Sequence, residues 1–156
     1  RLARILGWAS TQDAYRATAP RPDGSRAKAA MERAVRHAKL SPTDIGYINA
    51  HGTGTPLNDV AEAKAIRQLF GDVPVSSIKG AVGHLMAAAG AIELAACLVP
   101  FTHGVLPGTA HFEEADPECP IDVIGPIPRI ARVDHVLSNS FGFGGQNISV
   151  VLGRVE

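Results

Sequence analysis

Apolar residues recur along the chain with two different periods, and the switches between those periods mark out the elements. Leu2, Ile5, Leu6 and Trp8 among small residues read as a first strand over Arg1 to Ala9. The polar stretch Ser10 to Ser25, broken by Pro20, Pro22 and Gly24, reads as a long loop, and such loops in compact domains often carry function. Ala27, Ala30, Met31, Ala34, Val35 and Ala38 recur at helical spacing, which predicts an amphipathic helix over roughly Ser25 to Lys39. Arg26, Lys28, Arg33 and Arg36 lie opposite that stripe as a solvated face.

Ser41-Pro42-Thr43-Asp44 ends this unit, and Ile45 to Ala50 predicts a short strand that delivers His51 at its carboxyl end, the edge where α/β sheets place ligand sites. A second helix is expected over Asp59 to Phe70, with Asp59 and Glu62 complementing its amino-terminal dipole and Gly71 closing it. The strand Pro74 to Ser77 then delivers Lys79. His84 to Phe101 is apolar on nearly every face and predicts a third helix surrounded by protein. Pro107, Pro117, Pro120, Pro126 and Pro128 mark a loop-rich stretch holding one short strand at Ile121 to Ile124. Val133 to Ser138 and Ile148 to Val155 predict two last strands joined by a glycine-rich turn. Alternation followed by a hairpin predicts an α/β fold: one domain over residues 1–156, with a mixed central sheet covered by helices and a C-terminal β-hairpin.

Composition narrows the function classes. With 46% apolar and 19% charged residues the chain can bury a core and is no disordered tail. Fifteen basic residues balance fifteen acidic ones, so no overall field points to nucleic acid or to a membrane, and only a local charged patch stays open as a partner surface. Cys97 and Cys119 are too few for a disulfide framework and lack metal-binding spacing, so no metal is expected and a reducing cytoplasm is the expected compartment. The apolar run Leu85 to Phe101 is shorter than a bilayer span and carries Glu93 at its middle, so it reads as a core helix.

Candidate chemistry lies in three segments: Asn49-Ala50-His51-Gly52-Thr53-Gly54-Thr55-Pro56, Lys79-Gly80-Ala81-Val82-Gly83-His84, and Asn139 to Asn147. His51 follows an apolar strand and precedes glycines and hydroxyls. His84 stands where the third helix is expected to start, a place that keeps an imidazole neutral. Glu93 sits in a helix with no polar face, so it requires a nearby cation, and Lys79 is the candidate. Gly142-Phe143-Gly144-Gly145 can present backbone N–H groups to a ligand, because three of its four residues lack a side chain. At least one of Phe141 and Phe143 is suited to gate a pocket. No cysteine here has the setting of an activated nucleophile.

The motifs His-Gly-Thr-x-Thr, Lys-x-x-x-Gly-His and Asn-Ser-Phe-Gly-Phe-Gly-Gly-x-Asn, in this order, resemble the carboxyl-terminal half of the β-ketoacyl-acyl carrier protein synthases of the condensing-enzyme, thiolase-like family. The resemblance covers essentially the whole chain. It implies that His51 and His84 are the paired active-site histidines, with Lys79 and Glu93 the polar pair behind them. It further implies that Phe143 is a gate whose N–H, beside Gly142 and Gly144, helps form an oxyanion hole. Thr53 and Thr55 would contact a phosphopantetheine arm that arrives on the substrate, with no resident cofactor, and Thr18 would border the carrier-protein entrance. In the family the nucleophilic cysteine belongs to an amino-terminal half that nothing here matches. The expected partners are therefore that half, an acyl carrier protein and a second protomer in a homo- or heterodimer, and the abrupt opening strand fits a piece of a longer protein. The alternatives are a non-catalytic, chain-length-determining subunit, against which both histidines argue, and a thiolase or hydroxymethylglutaryl-type synthase, against which the Lys79–His84 spacing argues.

Overall fold

The computed structural model describes residues 2–155; Arg1, where the opening strand was expected to begin, lies outside them. Strand β1 covers Arg4–Gln12 and so extends past Ala9 into residues expected to be loop. Its antiparallel pairing with the last strand continues to Gln12↔Gln146. At a sheet edge, polar residues are tolerated as long as the backbone ladder persists, so hydropathy marks the strand's end too early. Helix α1 covers Ser25–His37 and buries Ala27, Ala30, Met31, Ala34 and Val35, as its spacing predicts. It stops short of Lys39, which takes a left-handed conformation (φ 59°).

A single 3-10 turn at Pro42–Asp44, closed by a Ser41/Asp44 capping box, leads into β2 (Tyr47–Asn49). Helix α2 (Pro56–Phe70) begins earlier than Asp59, because Pro56 is pre-organised for a first turn and needs no hydrogen-bond partner there. Strand β3 (Pro74–Ser76) follows. A short helix α3 (Lys79–Val82) ends at Gly83 (φ 76°), and the predicted helix from His84 to Phe101 is instead three pieces: a 3-10 turn at Met86–Ala88, α4 (Ala89–Ala96) and α5 (Val99–His103). Pro100 has no N–H to continue the α4 ladder, so the chain turns at Cys97 and Leu98.

Beyond α5 lie β4 (Val105–Leu106), β5 (Asp122–Val123), β6 (Arg129–Ile130), β7 (His135–Gly142) and β8 (Gln146–Gly153). β4 and β6 form a separate two-stranded ribbon; two-residue strands carry no readable period. The main sheet has the order β1-β8-β7-β2-β3-β5, with β7, β2, β3 and β5 parallel and β7-β8-β1 antiparallel. Both of its faces are covered. Ile48, Leu137 and Val151 pack with Met31, Val35 and Ile66 on the α1/α2 side, while Tyr47, Val136 and Leu152 pack with Cys97, Phe101 and Leu106 on the α4/α5 side.

The α3–α4 region is covered on one side only. Val82, Leu85, Met86 and Ile92 are exposed, Met86 to 75%. By length and composition Met86–His103 could cross a membrane. Glu93, fully buried in its middle, instead pairs with Lys79 at the end of the sheet, which ties α4 to this fold. Within this chain the cover expected around the helix is present on its sheet-facing side, and the opposite side is an exposed apolar face.

Candidate active site

Parallel strands β2 and β3 end side by side, Ile48 opposite Val75 and Asn49 opposite Ser76. The turns that follow them therefore bring His51 and Lys79 together, 28 residues apart in sequence. Lys79 Nζ lies 3.3 Å from His51 Nδ1 and also pairs with Glu93 of α4. Ser140 of β7 donates to the other Glu93 oxygen at 3.1 Å. The cation demanded by Glu93 is thus Lys79, as its apolar setting required.

An ammonium has only donors, so His51 Nδ1 must accept and the ring carries its proton on Nε2. His51 is buried, and burial first, then the charge of Lys79 and then His84, hold its pKa down at about 3. The ring is neutral at physiological pH. His84 stands against it edge-on, with ring centroids 5.4 Å apart and planes at 83°. His84 does not start a helix: it follows Gly83 in an irregular, exposed segment. Its tautomer is set by a local contact rather than by a dipole. The Met86 N–H donates to His84 Nδ1 at 3.1 Å, so in the neutral ring the proton is on Nε2. Two imidazole N–H donors of the same kind thus stand side by side.

Glu62 was expected to complement the α2 dipole, but only Asp59 lies in the first turn. Glu62 is buried, and its two oxygens accept the N–H groups of His51 (2.9 Å) and Gly52 (2.9 Å) and the Asn139 amide (3.0 Å). Burial pushes its pKa up against these donors, which pull it down. The carboxylate fixes the turn that aims His51. Its signal was present in the sequence: Glu62 stands among Ala61, Ala63, Ala65 and Ile66, all buried, a carboxylate on an apolar stripe, as Glu93 is.

The glycine turn is the hairpin between β7 and β8, and it offers less than its composition promised. Gly144 N–H donates to Ala17 O (2.6 Å) and Gly145 N–H to Gly142 O (3.1 Å), so neither faces a ligand. Gly142 itself ends β7, opposite Gln146. Phe143, at the tip, has no backbone partner for its N–H among the described residues and is 78% exposed. Phe141, not Phe143, packs on His51, with centroids 5.7 Å apart. The loop after β1 clamps this turn through a residue that hydropathy gave no reason to single out. Buried Asp13 accepts from Asn147 Nδ2 (2.7 Å) and Arg21 N–H (2.8 Å), while its own N–H donates to Gly145 O (2.7 Å). A side chain on Gly145, at φ 79°, would meet Asp13 Cβ at 2.7 Å. Thr18 is exposed on this loop beside Ala17.

A cavity of about 510 Å³ opens between α2 and residues 109–121, lined by Thr53, Thr55, Lys79 and His84 among others. The Thr53 and Thr55 hydroxyls bond each other at 2.7 Å on its wall. Burial pushes the Cys97 thiol up to about 12 and raises Cys119 as well, so neither is an activated nucleophile. Among the described residues no cluster of side chains suits a metal ion.

The family model of the β-ketoacyl synthase C-terminal domain matches residues 2–113. The ketoacyl synthase alpha subunit of the tetracenomycin polyketide synthase of Streptomyces glaucescens is 44% identical over 156 residues, which span 97% of this chain and 37% of that protein. A 3-oxoacyl-[acyl-carrier-protein] synthase 2 of Synechocystis is 42% identical, over 97% of this chain and 38% of that protein. A type II polyketide synthase acyl-carrier protein in complex with its ketosynthase bound to the hexaketide (AntDE:AntF) superimposes with a TM-score of 0.95 at 31% identity, over 99% of this chain and 39% of the matched one. The fold is that of the thiolase-like ketosynthases, and the chain spans well under half the length of each of these relatives.

Proposed function

The chain belongs to the family of β-ketoacyl synthase C-terminal domains, and from that premise we propose that it is the histidine-bearing part of a 3-oxoacyl-[acyl carrier protein] synthase of fatty-acid or polyketide synthesis. The reaction is the decarboxylative Claisen condensation of malonyl-carrier protein with an acyl thioester. The observation that carries this reading is the pair of imidazoles, His51 and His84, standing edge-on to each other with each Nδ1 occupied by a donor.

Their Nε2–H groups donate to the malonyl thioester oxygen. When the carboxylate leaves as carbon dioxide, its bonding electrons move into the enolate, and the two donors stabilise the charge that builds on that oxygen. The enolate carbon then attacks an acyl thioester held by a cysteine on the amino-terminal half, and the cysteine leaves as thiolate. Removing one such donor from a dry site costs roughly 3 to 4 kcal/mol in the transition state. Lys79 and Glu93 hold His51 in its donor tautomer, and Phe143 gates the site and offers its N–H to the acyl thioester oxygen. Thr53 and Thr55 line the cavity that takes the phosphopantetheine arm, and Thr18 borders the carrier protein's approach. The exposed apolar residues of the α3–α4 region support an amino-terminal half packed against them. The intact enzyme works in the cytoplasm as a dimer with an acyl carrier protein.

The test is malonyl-carrier decarboxylation by the full polypeptide and its His51→Ala and His84→Ala variants. Each variant is expected to lose about two to three powers of ten in rate; undiminished decarboxylation in both would overturn the proposal.

A further inference from the structure

Ser77 belongs to none of the motifs, yet three loops meet on it. It is buried at the end of β3. Its Oγ donates to Gly52 O at 2.8 Å and accepts the Lys79 N–H at 3.3 Å. Its own N–H donates to Thr109 Oγ1 at 3.2 Å. Thr109 is held in turn by its N–H, shared between Ile124 O (3.0 Å) and Gly125 O (3.1 Å). Gly52 is at φ 40°, and a side chain there would meet Ser77 Cβ at 2.6 Å, so the two turns touch with nothing between them.

We infer that Ser77, anchored by Thr109, is a positioning residue that sets the spacing between His51 and Lys79. The reason is geometric. Lys79 Nζ reaches His51 Nδ1 from a side chain with four rotatable bonds, which cannot by itself fix a distance. The backbones that carry the two groups are joined through one hydroxyl, from Gly52 O to the N–H of Lys79. Thr109 extends the link to residues 109–112, which line the cavity wall and cross Gly80 so closely that a Cβ there would lie 2.4 Å from Ala110 O. The hydroxyl pair therefore ties the wall of the proposed arm cavity to the tautomer of the histidine beside it. This inference rests on the ketosynthase reading for its kinetic consequence but not for its structural one.

The test uses the full polypeptide with ¹⁵N-labelled histidine. In the wild type the His51 ring is expected to show Nδ1 bare and Nε2 protonated across neutral pH. In Ser77→Ala the Nδ1 shift should move toward a mixture of tautomers, and the rate constant for malonyl decarboxylation should fall roughly two- to tenfold, the scale of one neutral hydrogen bond, with KM little changed. Thr109→Val, which keeps the shape and removes the acceptor, should reproduce the effect, and Thr109→Ser should restore the wild-type signature. If Ser77→Ala does not fold, the Thr109 pair decides. A wild-type tautomer and rate in both Ser77→Ala and Thr109→Val would overturn the inference. Absence of decarboxylation in the wild type would overturn the ketosynthase reading instead, leaving the tautomer readout to judge Ser77.

Discussion

The floor and the rim of the site are built on opposite principles. The floor is His51, Glu62, Lys79 and Glu93, all buried, each bonded to a residue from another element. The rim is His84, Thr55 and Phe143, all exposed, with hydrogen bonds that reach only two residues along the chain. Burial makes the floor costly to disturb, because a charge that loses its partner there has no water to turn to. The rim keeps its solvent and can be completed by whatever packs on it. The part of the site that fixes geometry is thus held among buried groups of this chain, while the rim faces outward.

The contrast breaks most sharply at the ion pair. Lys79→Met leaves Glu93 as an unpaired buried charge and should destabilise the protein by about 3–5 kcal/mol in denaturant unfolding, whereas Lys79→Met combined with Glu93→Leu should recover much of that loss. Equal losses in the single and double variants would show that packing, not charge, holds α4.

Acid should weaken the floor next. The pKa of His51 is near 3 in the folded protein and about 6.5 when unfolded. Between those values the unfolded state binds the extra proton, so this contribution to stability is full above the unfolded pKa and is lost as pH falls through the window. The slope reaches up to about 1.4 kcal/mol per pH unit. His51→Asn should flatten the unfolding free energy against pH over that range, and an unchanged slope would place the acid sensitivity elsewhere.

Glu62→Gln puts an amide donor where two backbone N–H groups and Asn139 all donate. A loss of roughly 1.5–3 kcal/mol is expected by denaturant unfolding, the scale of hydrogen bonds to a charged group. A neutral result would mean that the native Glu62 is protonated, since a carboxylic acid already carries one donor.

The smallest effects belong to the rim. Phe143→Ala and Thr55→Ala should each change stability by less than about 0.5 kcal/mol, as exposed substitutions do. Losses above 1 kcal/mol in either would erase the difference between rim and floor.

What could be read in advance follows the same division. The need of Glu93 for a cation was legible because the apolar run around it leaves a carboxylate no other option, and Lys79 met it. Glu62 offered the same signal among four buried neighbours, but its nearness to a helix start gave it a competing reading. Asp13 was not legible at all: it follows a strand whose polar end is held only by pairing with β8, and its partners Asn147 and Gly145 lie more than 130 residues away. His84 was found by its motif, while its helical setting was wrong because Gly83 closes the short helix before it and the next turn starts only at Met86.

The sequence by itself determined the alternation of strands and helices, the α/β class and the two histidines, because periodicity, turn residues and short motifs are local and survive without the fold. Only the tertiary structure decided which nitrogen of the His51 imidazole carries the proton, which phenylalanine touches that ring and that Ala17 engages the Gly144 N–H. Those outcomes depend on a few contacts between elements far apart in the chain, and no local pattern encodes distances of that kind.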